Sequence, residues 1–403
     1  MNEKKSFLKG ALTGALTMLC IGLLAGCGYR LSGLGESSQK NVISKEAQEK
    51  LSEIQELIEE NYLHEDEVDQ EALTEGLYKG YVEALGDPYS VYYDAEETKT
   101  LLERTSGEFG GAGALMSQNR ETGIITVAEV YEDSPAEKAG MKTNDILYAV
   151  EGEEVTGQDL SEVVSLIRGE IGTEVTVTVL RGKAAEEIEL TIVRGKVETP
   201  TVRYEMKEDG IGYLRISEFD SVTYSQFMEA KQALEEQGMC GLIVDLRGNP
   251  GGNLSTVTQI LNEILPKGLI VYTQDRNGKK EEIWSEGKTP LTIPLAVLVN
   301  GNSASASEIF SGAVQDYGIG TIIGTTTYGK GVVQQLFPLS DDTIAKLTIS
   351  EYFTPKGRNI DGIGIEPDIE IEYEPDETNP EADNQLEKAM ETVRAGLDGT
   401  VGN

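Results

Sequence analysis

Histidine and cysteine are nearly absent from this sequence, and their scarcity excludes several kinds of site. The 403 residues contain one histidine, His64, and three cysteines, Cys20, Cys27 and Cys240. A structural zinc site draws mainly on these two residue types, and two of the cysteines lie in an apolar N-terminal segment, so neither structural zinc nor an internal disulfide is expected. A histidine-based triad would depend on His64, which lies in the charged, helix-like stretch 61–66. A hydrolase of this composition would use another base.

Positive charge is also scarce. The chain has 34 lysine and arginine residues against 70 aspartate and glutamate residues, which gives a formal net charge of −36. Nucleic-acid phosphates and anionic lipid headgroups repel such a chain, so we exclude both as ligands of the folded part. Hydrophobic residues at 39% and charged residues at 26% are typical of a soluble globular protein. At roughly 100–200 residues per domain, the length allows two to four domains.

Residues 1–30 have the pattern of an export signal or membrane anchor. Three lysines within the first nine residues precede an uncharged run from Gly10 to Tyr29, which Arg30 closes. A helix of this length is about 30 Å long, enough to cross one bilayer with the lysines inside. The tetrapeptide Leu24-Ala25-Gly26-Cys27 also resembles a bacterial lipobox, so lipidation at Cys27 and an uncleaved anchor both stay open. Either predicts an extracytoplasmic body tethered to the cell membrane.

Residues 31–104 form a predicted linker and helical segment. Apolar side chains at Leu51, Ile54, Leu57 and Ile58 have the spacing of an amphipathic helix, and a second helix is predicted over residues 71–85. The turn residues 86–89, Gly-Asp-Pro-Tyr, then end that helix. Because this segment is too small for a generous core of its own, we expect it to dock on another domain or on a second copy of the chain.

Residues 105–197 read as short strands around one helix and resemble a PDZ domain. Strands are predicted at 123–128, 146–150 and 175–179, and a helix is predicted around Leu160, Val163, Val164 and Ile167. The motif S-P-A-x-x-A-G-M, followed by N-D-I-L, carries the resemblance. A PDZ domain adds an extended peptide to a sheet edge and binds its terminal carboxylate on backbone N–H groups.

The predicted carboxylate-binding loop is rich in small residues. It runs from Gly110 to Ala114, and the binding positions would be Gly111, Ala112, Gly113 and Ala114. Small side chains let the backbone approach an anion, although a flexible turn between domains would have the same composition. The apolar face of the following helix is the predicted wall of a pocket for an apolar C-terminal side chain.

Residues 198–403 alternate between strands and helices, which predicts an α/β domain. Strands are expected at 211–216, 241–246 and 295–299, and helices at 224–237 and 255–265. The glycine pair Gly251-Gly252 follows a buried strand and precedes a helix. Backbone N–H groups at such a position can bind an oxyanion, and a plain tight turn would look the same.

Two further motifs have the residue types of a nucleophile and its base. Ser303, Ser305 and Ser307 alternate with alanine at the start of a helix, where Ser305 and Glu308 also fit a capping box. A serine there meets unpaired N–H donors and a positive local field, which suit a nucleophile. The later G-K motif ending at Lys330 lacks the hydroxyl residue of a phosphate loop, and desolvation of that lysine would make it a base.

Taken together, these motifs resemble the carboxyl-terminal processing proteases, the S41 family of serine peptidases with a Ser/Lys dyad. The resemblance rests on D-L-R-G-N-P-G-G, S-A-S-A-S-E-I-F and Y-G-K-G-V-V-Q-Q behind a PDZ-like segment. It implies a crotonase-like or ClpP-like α/β protease core with an inserted PDZ domain and an N-terminal helical dimerisation segment. The implied roles are nucleophile (Ser305), base (Lys330), orientation of the lysine (Gln334), backbone oxyanion donors (Gly251 and Ala306) and PDZ coupling (Arg168).

The resemblance also implies the substrates and partners. Substrates would be proteins or peptides with apolar C-termini, the enzyme would be a homodimer, and no metal, nucleotide or other cofactor would take part. Ala112 replaces the branched residue that is more frequent there, which affects the shape of the pocket. Two alternatives stay open: a catalytically silent PDZ scaffold that binds C-terminal tails at the membrane, and an acyl-CoA enzyme with the same core.

Overall fold

The computed structural model of the chain describes residues 43–375, 378–379 and 382–400, so the predicted anchor at 1–30 and its Cys27 lie outside them. Residues 43–73 belong to one compact unit, and the described residues from Thr74 onward belong to another. The α-helices of the described residues are α1 (Lys45–Asn61), α2 (Gln70–Glu83), α3 (Ala95–Ser106), α4 (Pro135–Lys138), α5 (Leu160–Ile167), α6 (Thr223–Glu236), α7 (Leu254–Asn262), α8 (Ala306–Tyr317) and α9 (Asn384–Thr400).

The strands of the described residues belong to four sheets. Two sheets lie in the predicted PDZ segment and two in the predicted protease core, although β1, which pairs with β18, comes from the predicted helical segment 31–104. The strands are β1 (Val91–Tyr93), β2 (Glu108–Gly111), β3 (Ala114–Gln118), β4 (Ile125–Val130), β5 (Ile146–Val150), β6 (Glu153–Glu154), β7 (Glu174–Arg181), β8 (Glu186–Val193), β9 (Gly195–Glu198), β10 (Val202–Met206), β11 (Ile211–Ile216), β12 (Gly241–Asp245), β13 (Gly268–Asp275), β14 (Lys280–Ser285), β15 (Leu295–Val299), β16 (Thr321–Gly324), β17 (Val332–Pro338), β18 (Ile344–Phe353) and β19 (Ile369–Glu370).

Helix α1 confirms the amphipathic pattern of the sequence. It begins after Ser44, whose Oγ accepts a hydrogen bond from the N–H of Ala47 at 3.2 Å. The apolar side chains Leu51, Ile54 and Leu57 on this helix are exposed. None of the helices that the structure describes is long and apolar enough to cross a lipid bilayer.

The predicted PDZ segment folds around an antiparallel sheet with the order β3-β4-β5-β7-β8, in which β6 also pairs with β5. The predicted strands and helix of this segment are all present. Its core packs α5 against the sheet through side chains that include Val127, Val163, Ile167 and Val177. Strand β3 lies at one edge of the sheet, so the order leaves its outer side open to another strand.

An ion pair with a buried carboxylate joins the residue before β5 to the end of β7. The carboxylate of Asp145, which is 1% exposed, accepts hydrogen bonds from Arg181 Nε at 2.7 Å and Nη2 at 2.6 Å. Burial raises the pKa of this carboxyl, but the bonds from Arg181 and from the N–H of Lys142 outweigh burial and hold the pKa below its usual value. We expect Arg181→Met to lower the free energy of unfolding by about 2 kcal/mol, because it leaves a buried carboxylate without its cation.

Urea denaturation at several pH values checks this expectation. Because the folded-state pKa of Asp145 is depressed, the stabilisation is complete above the unfolded value of about 3.9 and disappears as the pH falls through the folded-state pKa. Arg276→Met, at an exposed arginine, is the matched control and should unfold like the wild type. Equal midpoints for Arg181→Met and the control at pH 7 would contradict the prediction.

The protease core is built on a mostly parallel sheet with the order β10-β11-β12-β15-β16-β19. Every residue of β12 and β15 is buried, as their continuous apolar sequences predict. One apolar cluster packs helices α6, α7 and α8 on one face, and a second packs α9 on the other. The loops that follow β12 and β15 therefore leave the same edge of the sheet, where ligands of such sheets bind.

A second, antiparallel sheet lies in the same unit. Strand β18 is its longest member, and it pairs with β1, β13 and β17. Leu336 and Gln334 on β17 are opposite Lys346 and Thr348 on β18. Since alternate residues of a strand share a face, these four positions lie on one side of the sheet.

The C-terminal helix α9 is fixed to the end of β12 by one arginine. Arg247 Nε donates to Asp245 Oδ1 at 3.0 Å, and its Nη1 and Nη2 donate to the two carboxylate oxygens of Asp383 at 3.0 and 2.7 Å. Nη1 also donates to Gln385 Oε1 at 3.0 Å. The D-L-R motif thus connects the start of α9 to the loop that carries the glycine pair.

Candidate active site

The serine and lysine motifs line one cavity of about 470 Å³. Its walls come from the loops after β12 and β15, from strands β17 and β18, and from helix α3. The sequence assigned most of α3 to a dimerisation segment, whereas the structure places its Leu101, Arg104 and Thr105 on the cavity. Among the residues predicted from the sequence, the cavity contains Ser305, Lys330, Gln334, Gly251 and Ala306.

Ser305 has a strained backbone at the start of α8. It follows the loop after the buried strand β15, and its φ and ψ are +53° and −110°. A non-glycine residue with positive φ costs of order 1–3 kcal/mol, and such strain concentrates at functional sites. The local geometry agrees with a nucleophile held at a helix N-terminus.

Glu308 connects the serine to the lysine motif. Its side chain is fully buried, and its Oε2 accepts hydrogen bonds from the backbone N–H groups of Ser305 at 2.7 Å and Lys330 at 2.9 Å. Its Oε1 accepts from Thr327 Oγ1 at 2.6 Å and from the N–H of Gly329 at 2.7 Å. The sequence predicted only the bond that reaches back to Ser305. The carboxylate therefore holds the serine segment and the lysine segment together.

The glycines on either side of Lys330 allow its loop to pack against neighbouring backbone. A Cβ on Gly329, where φ is +87°, would lie 3.0 Å from the backbone nitrogens of Ile363 and Gly364. A Cβ on Gly331 would lie 2.6 Å from the backbone nitrogen of Asp361. Larger residues at these two positions would push the lysine out of its place.

Lys330 is half-buried, and its pKa is below the usual value of a lysine. Burial is the main cause, and the positive charge of Lys346 acts in the same direction, while Asp87 and Glu308 raise the pKa. The ammonium lies 4.5 Å from the centroid of the Tyr89 ring. Because desolvation favours the neutral amine, Lys330 has the chemistry of a general base.

Gln334 lies on the cavity without a direct bond to the lysine. Its Nε2 donates to Thr348 Oγ1 at 3.2 Å, and no hydrogen bond joins it to Lys330 within residues 43–375. Its predicted role in orienting the lysine stays a prediction.

Two backbone N–H groups beside Ser305 have no partner of their own. No hydrogen bond of residues 43–375 uses the N–H of Ala306 or of Gly252. The N–H of Gly251 instead donates to Asn249 Oδ1 at 2.8 Å. A Cβ on Gly251 would lie 2.8 Å from Ser305 Cβ, so the glycine-pair loop is close to Ser305. This geometry favours Ala306 and Gly252 over Gly251 as oxyanion donors.

Three side chains of the cavity were missed by sequence reasoning. Tyr352 is buried, and its hydroxyl donates to the carbonyl oxygen of Ser305 at 3.2 Å. Lys346 faces the cavity from β18. Burial and then the charge of Glu218 raise the pKa of Asp220 to about 7, although Arg104 opposes this. The strand pattern could have placed Tyr352 and Lys346 on β18, but not against these partners.

Comparison with known proteins identifies the family. A model of peptidase family S41 matches residues 210–371, and a PDZ domain model matches residues 126–181. The chain is 38% identical over 310 residues to a carboxy-terminal-processing protease of Bartonella bacilliformis, a match covering 75% of this chain and 70% of the relative. This chain belongs to the carboxy-terminal processing proteases of family S41. It is therefore a serine-type protease with a PDZ domain, and the predicted family and fold class are confirmed.

Other relatives agree with this assignment. The processing protease CtpB of Bacillus subtilis is 37% identical over 329 residues, covering 81% of this chain and 68% of CtpB. Residues 30–98 match a model described as the N-terminal domain of the activating protease CtpB. A solved structure of a putative S41 protease from Bacteroides fragilis has 18% identity and a TM-score of 0.52, and the alignment covers 85% of this chain and 97% of that one. That similarity supports the fold alone.

The loop predicted to bind a carboxylate joins β2 to β3 of the PDZ domain. Gly113 has a φ of +80°, and a Cβ there would lie 2.6 Å from Ser134 Cβ. The side chain of Ala112 is buried in the PDZ core. The N–H of Ala136 donates to the carbonyl oxygen of Ala112 at 2.7 Å. The loop thus needs small residues, as its composition predicts, and a backbone hydrogen bond fixes it at Ala112.

The predicted groove of this S41 protease lies beside the edge strand β3. Helix α5 packs with β3 in the same core, but its Val163 and Ile167 point into that core. Of the predicted wall residues, Leu160 and Val164 are partly exposed. The pocket wall is therefore narrower than the sequence suggested.

Arg168 at the end of α5 contacts α3, the helix that lines the cavity of Ser305 and Lys330. Its guanidinium carbon lies 4.5 Å from the centroid of the Phe109 ring, and its Nη1 lies 3.8 Å from Glu103 Oε2 on α3. The adjacent Thr105 carbonyl accepts a hydrogen bond from Asn253 Nδ2 at 3.1 Å. A continuous set of contacts therefore runs from the PDZ domain to the glycine-pair loop.

Proposed function

We propose that this S41 protease is a membrane-tethered endopeptidase that cleaves proteins near their C-termini with a Ser305/Lys330 dyad. One observation carries the proposal: the strained Ser305 and the half-buried Lys330, whose pKa is lowered, line the same cavity. A nucleophile at a helix N-terminus and a desolvated amine form the pair that acyl transfer requires.

The reaction proceeds through an acyl-enzyme. Ser305 Oγ attacks the scissile carbonyl carbon while its proton passes to the neutral amine of Lys330. The N–H groups of Ala306 and Gly252 then bind the oxyanion. Collapse of the tetrahedral intermediate breaks the C–N bond, and protonated Lys330 gives its proton to the leaving amine. Water, deprotonated by Lys330, hydrolyses the ester and restores both groups.

The PDZ domain selects the substrate by binding its C-terminal tail. The carboxylate of a protein C-terminus binds the backbone between Gly111 and Ala114, and the tail extends β3 as an added strand. Its apolar terminal side chain packs between β3 and α5. Arg168 couples the bound tail to the active state through the C-terminal end of α3, where Glu103 faces Arg168 and the adjacent Arg104 lines the cavity.

The N-terminal region attaches the protein to the membrane and forms the homodimer. The predicted anchor or lipidated Cys27 holds the body outside the cytoplasm, at the membrane surface. Helix α1 carries the exposed apolar side chains Leu51, Ile54 and Leu57, which a second copy of the chain would cover in a homodimer.

A pair of matched substrates tests this function. The full-length protein is incubated with an unstructured protein that ends in an apolar residue, either with its free carboxylate or as the C-terminal amide. We expect cleavage near the C-terminus, about tenfold slower for the amide because the PDZ loop loses its anionic ligand. Mass spectrometry of the products measures both rates.

A fluorophosphonate probe is the second arm of this test. It should label Ser305 and stop cleavage of both substrates. Tail binding without cleavage or labelling would identify a catalytically silent scaffold. Equal cleavage rates for the free acid and the amide would show that the terminal carboxylate is not recognised.

A further inference from the structure

Two lysines share the catalytic cavity of this strongly acidic protein. Lys330 and Lys346 both line it, and neither forms an ion pair with a carboxylate within residues 43–375. Carboxylates outnumber cations by 70 to 34 in the sequence, so two unpaired ammonium groups at one place call for an explanation. Like charges at short range destabilise each other, and a titratable pair of this kind responds by losing a proton from one member.

Lys346 is fixed in its position by the second sheet. It lies on β18 opposite Leu336 of β17. Its Nζ donates a hydrogen bond to the hydroxyl of Tyr93 at 2.8 Å and lies 5.2 Å from the centroid of that ring. Tyr93 belongs to β1, which pairs with the same part of β18. An ammonium has no acceptor, so the Tyr93 hydroxyl accepts in this bond, and the contact fixes the position of Lys346 without placing a negative charge beside it.

The carboxylates that face Lys330 are already bound to other groups. Asp87, in the turn before β1, accepts from the N–H of Tyr89 at 3.0 Å and from Ser90 Oγ at 2.6 Å. Glu308 of α8 accepts four hydrogen bonds from the two catalytic segments. Both raise the pKa of Lys330, while burial and Lys346 lower it.

Three other charged groups near the cavity already have partners. Two of them form an ion pair with each other, and the third accepts a hydrogen bond from a backbone N–H group. Arg104 of α3 donates to Glu218 Oε1 at 2.9 Å, beside Asp220. Asp361 accepts from the N–H of Gly331 at 3.0 Å. Among the groups facing Lys330 from the strands β17, β18 and β1, Lys346 is therefore the one full charge that acts against its protonation.

We propose that Lys346 is a positioning residue for catalysis: its ammonium keeps the neighbouring Lys330 in the neutral form that accepts the proton of Ser305. The inference rests on the proposed dyad and adds the group that makes its base available. Cleavage by the wild type rises with pH as Lys330 loses its proton, and the charge of Lys346 moves that rise to lower pH. Removing the charge moves the rise upward, so activity is lost at neutral pH and recovered at alkaline pH.

The test follows the rate at which a fluorophosphonate labels Ser305 between about pH 5 and pH 10. Lys346→Gln removes the charge but can still bond to the Tyr93 hydroxyl, and Lys346→Arg keeps the charge. We expect Lys346→Gln to label about tenfold more slowly at pH 7 and to reach the wild-type rate at high pH. Lys346→Arg should keep the wild-type profile. Lys280→Gln is the matched control, since Lys280 lies 4.3 Å from the Tyr272 ring centroid on the same sheet, away from the cavity lining.

A second readout does not need an active serine. In the Ser305→Ala background, acetylation of the Lys330 amine by a small acylating reagent is followed against pH by peptide mass spectrometry. Lys346→Gln should move this profile to higher pH as well. Profiles that keep their midpoint while all rates fall by one factor would overturn the proposal and leave Lys346 a structural residue. Absent labelling of Ser305 in the wild type would contradict the dyad instead, and the acetylation profile would still decide the part played by Lys346.

Discussion

Lys330→Met lowers kcat/KM for cleavage of a C-terminal tail by about 10,000-fold, and Ser305→Ala lowers it by a similar factor. Each removes one member of a pair that acts as a unit, so the double variant should lose little more than either single variant. Methionine keeps much of the length of the lysine side chain beside the Tyr89 ring but has no amine to accept a proton. Steady-state kinetics with a quenched peptide that has a free C-terminus measures all three variants.

This experiment distinguishes a loss of catalysis from a loss of substrate binding. The PDZ groove is untouched in both variants, so affinity for the tail should match that of the wild type. Lys280→Met, at an exposed lysine on the second sheet, is the control and should retain full activity. Activity within tenfold of the wild type in Lys330→Met would show that another group takes the proton of Ser305.

Glu308→Gln lowers kcat about 100-fold and also reduces stability. The wild-type carboxylate accepts four hydrogen bonds, all from N–H or O–H donors. The glutamine amide replaces one accepting oxygen by an NH₂ group that faces two of these donors, so the two catalytic segments separate. Since hydrogen bonds to a charged acceptor contribute about 1.5–3 kcal/mol, we expect a loss of about 2–3 kcal/mol in the free energy of unfolding.

The kinetics of this variant distinguish positioning from simple unfolding. At a temperature well below its melting transition, kcat should fall while KM changes little, because the groove and the outer walls of the cavity stay in place. Glu366→Gln, at an exposed glutamate in the same domain, is the control for charge. A Glu308→Gln enzyme with more than a third of wild-type kcat would show that the carboxylate does not position the dyad.

The strands of the core could be predicted because their signal is local. The runs at 241–246 and 295–299 are continuously apolar, and the structure has buried strands at Gly241–Asp245 and Leu295–Val299. Ser305 and Lys330 could be selected for a similar reason, since a helix start and a glycine pair are visible in a few residues of sequence. The family resemblance then supplied their roles.

The remaining parts of the site depend on contacts between segments distant in sequence. The capping pattern predicts that Glu308 reaches Ser305, but its bonds to Gly329 and Lys330 join segments 21 and 22 residues away. The position of Lys346 follows from the register between β17 and β18. The choice between Gly251 and Gly252 follows from a side chain, Asn249, that occupies one N–H group and leaves the other open.

The positive φ of Ser305 has a consequence for the natural variation of this protease. Glycine adopts that conformation without the cost of about 1–3 kcal/mol that an L-residue bears there. A chain that acquired glycine at this position would lose the hydroxyl, keep its PDZ groove and fold more stably. Selection for a stable, abundant protein therefore favours glycine at this codon, whereas selection for proteolysis favours serine. Loss of the serine would give a tail-binding pseudoenzyme that is more stable than the protease.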